Sequence, residues 1–318
     1  MNTKDTMVSI GVDVSKRHLD VAVYPDAAVR RFGNDGAGLV ACLDWLSAWP
    51  VDLVVMEATG RLHELAAGML TAEGFAVAVV NPARVRYFAR AKGRLAKTDR
   101  IDALVLAEYG AVMRPVPRTP VDEITRTLRQ LVVRRRQLVE LRAVETNRLN
   151  SRIEDTLDGL IGESFEATLL VLSAQITTVE RRIDDHIQAC QGLRKADGVM
   201  RTMPGVGPVL SQTILAEMPE IGQLTRKQIA SLAGVAPINR DSGAFRGRRA
   251  IHGGRAYVRT VLYMATVAAI RCNPVVKHTY TALKQAGKPT KVAITACMRK
   301  IIVMLNAMVR DQKEWKMN

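Results

Sequence analysis

Short β-branched runs separated by turn formers open the chain. "VSIGVDV" (8–14), "LDVAVYP" (19–25) and "AVRRFGN" (28–34) read as three consecutive strands. A helical pattern follows in "AGLVACLDWLSAW" (37–49), and "VDLVVMEA" (51–58) has the unbroken apolar run of a buried strand. Next come a helix from about Leu62 to Ala72, the strand "FAVAVVN" (75–81), and helices through "PARVRYFARAK" (82–92) and "DRIDALVLAEYGAVM" (99–113).

Three strands in a meander, followed by strands alternating with helices, is the order of a ribonuclease-H-like fold. The proline-rich "RPVPRTP" (114–120) breaks the pattern and marks a boundary. Beyond it Leu128, Leu131 and Leu138 follow heptad spacing, although later slots hold Arg135, Arg142 and Glu145. A second run, Leu169, Leu172, Ile176, Val179 and Ile183, keeps the three-four rhythm better. The two stretches predict antiparallel helices joined near "DGLIGES" (158–164). They form either plain intradomain packing or an oligomerisation arm. From "MRTMPGVGPVLSQTILAEM" (200–218) onward the pattern is helical with glycine-rich turns. The expected class is therefore α/β plus α, in three parts: a ribonuclease-H-like domain over 1–116, a helical, coiled-coil arm over 117–195, and a mainly helical domain over 196–318.

Charge changes the picture more than overall composition does. The 318 residues are 48% hydrophobic and 24% charged, ordinary for a globular protein, but the net charge is +15. Residues 226–300 hold fifteen lysines and arginines and one acid, Asp241. So one-sided a stretch points to a polyanionic partner. Aromatic residues, at 4%, are too few for a single-strand binder that works by stacking. Cys42, Cys190, Cys272 and Cys297 are scattered without a CxxC pair, so neither a zinc site nor a disulfide framework is expected. No apolar leader is visible in "MNTKDTMVSIGVDVSK". Runs such as "TVLYMATVAAI" fall short of a bilayer span. The expectation is a soluble, cytoplasmic protein with no membrane partner.

Within this anion-seeking chain, "KTDRIDA" (97–103) places Asp99 and Asp102 one helical turn apart, just after the basic run "RVRYFARAKGRLAK". Asp13 closes the first strand and Glu57 closes the buried strand "LVVME". Strand ends and helix starts at one sheet edge are where ligand sites gather. Four carboxylates there repel unless they share cations, and hard oxygen donors suit magnesium or manganese, as two ions for phosphoryl displacement. Taken singly, Asp99 could cap its helix, Glu57 could cap the next one, and Asp13 could shape a turn. As a set they point to a metal site.

The second unusual stretch is "GVAPINRDSGAFRGRRAIHGGRAYVRTVLYMA" (234–265). Ser242 stands in a turn among Arg240, Arg246, Arg248, Arg249 and Arg255, whose guanidinium groups match phosphate oxygens. A serine there is either a nucleophile needing activation or an ordinary residue of a phosphate-binding loop. Asp241 and His252 are the only local bases. "MPGVGPVL" (203–210) looks like a helix-hairpin-helix turn, in which Gly205 and Gly207 let backbone amides approach a phosphate.

"GVDVSK", "MEATG", "KTDRIDALVLAEY", "MPGVGPVLS", "AGVAPINRDSG" and "GKPTKVAITACMRKIIVMLNAM" occur in the order seen in DEDD transposases of the Piv-invertase and IS110 type. The resemblance runs from about residue 7 to 310. It implies a RuvC-like domain whose metal ligands correspond to Asp13, Glu57, Asp99 and Asp102, and a C-terminal transposase domain whose catalytic serine matches Ser242. It further implies covalent attachment of the serine to DNA, strand exchange through a four-way junction, and composite active sites shared within a tetramer; the expected partner of the chain is itself, as a homo-oligomer from dimer to tetramer. Donor and target double-stranded DNA would be bridged by a structured noncoding guide RNA, in a prokaryotic cytoplasm at the nucleoid. Two other readings stand beside it. One is a RuvC-like nuclease or junction resolvase using metal-activated water; the other is a noncatalytic nucleic-acid-binding protein.

Overall fold

The computed structural model describes residues 7–60, 62–96, 98–117, 122–151, 159–239, 241–242, 245–247 and 249–316. The chain divides into two compact units, residues 1–120 and 121–318.

The first unit is a five-stranded sheet between helices. Its strands are β1 (Ser9–Val14), β2 (His18–Tyr24), β3 (Val29–Gly33), β4 (Leu53–Glu57) and β5 (Val77–Val80), in the order β3-β2-β1-β4-β5. The first three pair antiparallel; β4 lies parallel to β1, and β5 parallel to β4. The helices are α1 (Gly36–Leu46), α2 (His63–Ala72), α3 (Pro82–Ala91) and α4 (Asp99–Met113). This meander extended by parallel strands is the ribonuclease-H-like arrangement the sequence pattern led us to expect.

Alternation along β1 decides which helix meets which face. Ile10, Val12 and Val14 point into one core with Leu39, Cys42 and Leu46 of α1 and with Ala66 and Leu70 of α2. Ser9, Gly11 and Asp13 point the other way, toward α4. There the approach is very close. A Cβ on Gly11 would lie 2.8 Å from Leu106 Cβ and nearer still to the Ala103 carbonyl and the Ala107 amide. A Cβ on Gly110 would likewise collide with Ser9 Oγ and reach 2.7 Å from Val55 Cγ2. Small residues on both sides thus let α4 lie directly on β1.

The second unit is helical: α5 (Glu123–Asn150), α6 (Gly159–Ala189), α7 (Gln191–Arg201), α8 (Pro208–Glu217), α9 (Arg226–Leu232), α10 (Ala256–Cys272), α11 (Pro274–Gln285) and α12 (Thr290–Asp311). Four two-residue strands interrupt it between α9 and α10: β6 (Pro237–Ile238), β7 (Asp241–Ser242), β8 (Phe245–Arg246) and β9 (Ala250–Ile251).

Helices α5 and α6 run antiparallel. His186 Nε2 meets the Ile124 carbonyl at 2.8 Å near one end, and Arg135 donates to Glu180 at 2.7 Å further along. Leu128 and Val132, with Ile183 and Ile187, join the main core of the unit. Beyond Leu138 and Ile176 no described residue of the pair is buried, while Leu141, Leu160, Leu170 and Val171 are exposed. Of the expected junction, "GLIGES" belongs to the start of α6, and residues 152–158 lie outside the described residues.

Helix α12 is long and apolar enough, by length and composition, to cross a bilayer. No such run was foreseen in the sequence. Here it is a core helix, with Ile294, Cys297, Ile301, Ile302 and Leu305 buried among the other helices. Its Asn306 is 2% exposed; it accepts from Gly222 N–H at 2.9 Å and donates to the Leu224 carbonyl at 2.8 Å, which ties the loop before α9 to the core.

Candidate active site

The acidic residues gather at one edge of the first sheet. Asp13 is the penultimate residue of β1 and Glu57 the last of β4, its parallel neighbour. Asp99 and Asp102 occupy the first turn of α4, the helix pressed on the Asp13 face of β1. Two bland roles fall to neighbouring residues instead. Thr98, not Asp99, caps α4 by accepting from Ile101 N–H at 3.3 Å. Ser15, not Asp13, shapes the turn after β1 through its hydroxyl contacts with His18.

The electrostatics record the convergence. The Asp13 carboxyl is pushed up from 3.8 to about 6, first by burial and then by the charges of Asp102, Asp99, Glu57 and Asp20. Among the described residues, no three His, Cys, Asp or Glu side chains close to metal-ligand geometry. The acids face each other at electrostatic range, and a cation already sits among them. Arg31 of β3 donates to both oxygens of Asp20, at 3.0 and 2.9 Å, and to Asp99 Oδ2 at 3.1 Å. The sheet register explains this reach: Asp13 lies opposite Asp20 on β2, and Asp20 lies opposite Arg31. Neither Asp20 nor Arg31 stood out in the sequence. A carboxylate inside "LDVAVY" was the one available sign.

The basic run before α4 is partly neutralised. Lys92 and Arg94 both pair with Glu108, at 2.9 and 3.2 Å.

In the second unit Ser242 is exposed beside the tip of a two-tier hairpin. In this hairpin β7 pairs with β8, Ser242 lying opposite Phe245, and β6 pairs with β9 below them. Arg249 is exposed on the same hairpin. Arg240 and Arg248 lie outside the described residues, as does the side chain of Arg246. Arg255 is engaged: its guanidinium meets both Glu220 oxygens at 2.7 and 2.8 Å.

The foot of the hairpin is a close backbone crossing that pattern reading did not pick out. Gly234, Gly253 and Gly254 have φ of +70°, +69° and +69°. A Cβ on Gly254 would strike Gly234 and lie 2.9 Å from the Leu232 carbonyl. Arg259 of α10 fastens the crossing, donating to the Gly253 carbonyl at 2.6 Å, and Arg255 N–H donates to the Leu232 carbonyl at 2.8 Å.

Gly205 and Gly207 occupy the turn between α7 and α8. Gly205, at φ +94°, packs so closely on α10 that a Cβ would lie 2.5 Å from that of Ala269. Packing alone therefore requires glycine there.

A family profile for transposases of the DEDD IS110 type matches residues 10–159, and a second, for the transposase IS116/IS110/IS902 family, matches residues 197–281. The chain belongs to the IS110 transposase family. The matched segments bracket the acidic edge and the serine hairpin. Among the relatives it matches, the pilin gene-inverting protein of Moraxella lacunata is 25% identical over 96% of each chain. The insertion element IS116 44.8 kDa protein of Streptomyces clavuligerus is 24% identical over 98% of this chain and 97% of that one. Among solved structures, T. thermophilus RuvC in complex with Holliday junction substrate aligns with 35% of this chain and 98% of that one, at 16% identity and a TM-score of 0.28. As a member of the IS110 family the protein is a DNA recombination enzyme, and the DEDD family implies dependence on a divalent metal.

Proposed function

We propose that this IS110 transposase cuts and rejoins DNA with Ser242 as nucleophile and with Asp13, Glu57, Asp99 and Asp102 holding divalent metal. The observation that carries the reading is the crowding at the sheet edge, where burial and three further carboxylates of the set raise Asp13 to about 6. A site this anionic fits hard cations, Mg²⁺ or Mn²⁺, as two ions. When bound, they supply stabilisation of the negative charge that develops at the scissile phosphate.

The chain's own groups do the rest. Ser242 Oγ attacks phosphorus, forming a serine–phosphate ester and releasing one DNA strand end. Attack on that ester by a strand-end hydroxyl rejoins the DNA and frees the serine. Arg240, Arg246, Arg248 and Arg249 grip the backbone around the serine. Arg255, braced by Glu220, holds the foot of the hairpin beside them. The turn at Gly205 and Gly207 approaches a phosphate in helix-hairpin-helix manner. The α5–α6 arm, read as a coiled-coil element, assembles protomers from dimer to tetramer, whose composite sites resolve a four-way junction. A structured noncoding RNA encoded by the element pairs donor with target, so sequence choice lies outside the protein. The complex works in the cytoplasm at the nucleoid.

The test is a donor plasmid carrying the element with its native flanks, assayed for excised circles and for protein–DNA adducts on denaturing gels. Wild type is expected to give both, and Ser242→Ala neither. Cleavage retained by Ser242→Ala would shift the reading to a RuvC-like nuclease that uses water.

A further inference from the structure

We propose that Arg31 is the resident counter-ion of the acidic edge and gives up Asp99 when a divalent metal binds. The proposal rests on the reading of Asp99 as a metal ligand.

Five carboxylates, the four of the set and Asp20, occupy the space where β1, β2, β4 and the start of α4 meet. Among the described residues, the Arg31 guanidinium is built in among them. Its two anchors differ in kind. Toward Asp20, whose side chain is 8% exposed, Arg31 makes a two-pronged contact at 3.0 and 2.9 Å. Without Arg31 the Asp20 carboxylate would be left poorly solvated, so this bond stays. Toward Asp99, whose side chain is 62% exposed, Arg31 makes one bond of 3.1 Å through Nη2, an atom it already shares with Asp20. Water screens that bond, and it is the one that can open.

The register makes the arrangement specific. Asp20 stands opposite both Asp13 and Arg31, so the buried carboxylate fixes the guanidinium one strand away from Asp13, within reach of the α4 N-terminus. Arg31 thus turns Asp99 Oδ2 toward β3. A divalent ion drawing on Asp13 and Asp99 competes with Arg31 for that charge. Once Asp99 is released, the guanidinium remains on Asp20 at the rim of the site, where the phosphate backbone arrives. Arg31 is a positioning residue in this scheme: it acts through Asp99.

The discriminating variant removes the pair and keeps the net charge. Mn²⁺ binding to the purified full-length chain is measured by calorimetry, with free Mn²⁺ counted by electron paramagnetic resonance. Asp20→Asn/Arg31→Ala is expected to bind Mn²⁺ about threefold tighter than wild type, because Asp99 has lost its competitor although the total charge is the same. Arg31→Gln keeps an amide donor for Asp20 and guards against misfolding of the double variant; about fivefold tighter binding is expected. Asp102→Asn tests the underlying reading and is expected to weaken binding at least tenfold. Mn²⁺ affinity indifferent to Asp102→Asn would overturn the assignment of the acids as ligands, and this proposal with it. Affinity lost in Asp102→Asn, yet equal to wild type or weaker in both Arg31 variants, would overturn the exchange alone.

Discussion

Replacing Gly11 by alanine tests the link between fold and site most directly. Its new Cβ would stand 2.8 Å from Leu106 Cβ, and closer to the Ala103 carbonyl and the Ala107 amide. Carbon atoms in contact rest about 3.5–4.0 Å apart, so α4 must retreat by about 1 Å. Two of the three obstacles are helix backbone, which no side-chain rotation relieves. Overpacking of this kind costs about 1–3 kcal/mol, and we take about 3 because the backbone itself must move. Against that, Gly→Ala removes freedom from the unfolded chain, a gain of about 0.4–1 kcal/mol. The clash wins, by about 2 kcal/mol. At about 4 °C per kcal/mol for a unit of this size, the first unit should melt about 8 °C lower in calorimetry.

The displacement also reaches the chemistry, because α4 carries Asp99 and Asp102 and β1 carries Asp13. A misplacement of about 1 Å costs about a hundredfold in rate. Excision should therefore fall much further than stability alone predicts at a temperature where the variant is folded. Gly68→Ala is the control: Gly68 lies inside α2 with open space around its Cα, and alanine there should stabilise by about 0.5–1 kcal/mol. A Gly11→Ala protein melting within 2 °C of wild type, with excision within twofold, would refute the claim that the glycine sets the α4 distance.

Three further outcomes are expected. Asp13 has a folded value of about 6 against 3.8, so the metal-free chain binds more protons folded than unfolded between those values; its stability is highest below pH 3.8 as far as Asp13 is concerned and is lost as pH rises through 6. After discounting for partial exposure the whole loss is about 1–2 kcal/mol, roughly half of it above pH 5, and saturating Mg²⁺ should reverse it; denaturant melts at pH 5 and pH 7.5 should differ by about 0.5–1 kcal/mol without metal and not with it. Asn306→Leu strands the Gly222 amide and the Leu224 carbonyl and should destabilise the second unit by about 2–3 kcal/mol in denaturant melts. Gly254→Ala forces a side chain into the crossing with Gly234 at a positive φ and shifts the foot of the hairpin that carries Ser242; adduct formation should drop at least tenfold on denaturing gels.

Much of the first unit was legible because its strands alternate or run apolar in lengths that only a sheet accommodates. The acids stood out because each ends or starts an element, and that much survives folding. What escaped notice depends on register or close approach. Asp20 looks like one polar position in a strand until the pairing sets it between Asp13 and Arg31. Gly11 looks like one unremarked position of the strand "VSIGVDV" until α4 is laid on it. Residues 234–255 read as glycine-rich turns among helices, since two-residue strands are too short to show a period. Their glycines serve a backbone crossing that no periodicity encodes. Gly159 and Gly162 carry breaker propensity, yet both fall in the first turn of α6, where a glycine costs least.

The placement of α12 at the centre of the second core has a consequence in time. A chain made from its N-terminus completes residues 1–120 long before Thr290 emerges, so the acid-bearing sheet can close while the serine-bearing unit waits. At about 5–20 residues per second the interval of roughly 170 residues lasts on the order of 10–30 s. During it α9, α10 and α11 lack the helix they pack against in the finished unit. Any interruption of synthesis in that window would leave a chain with its acidic edge assembled and its serine hairpin without a foundation.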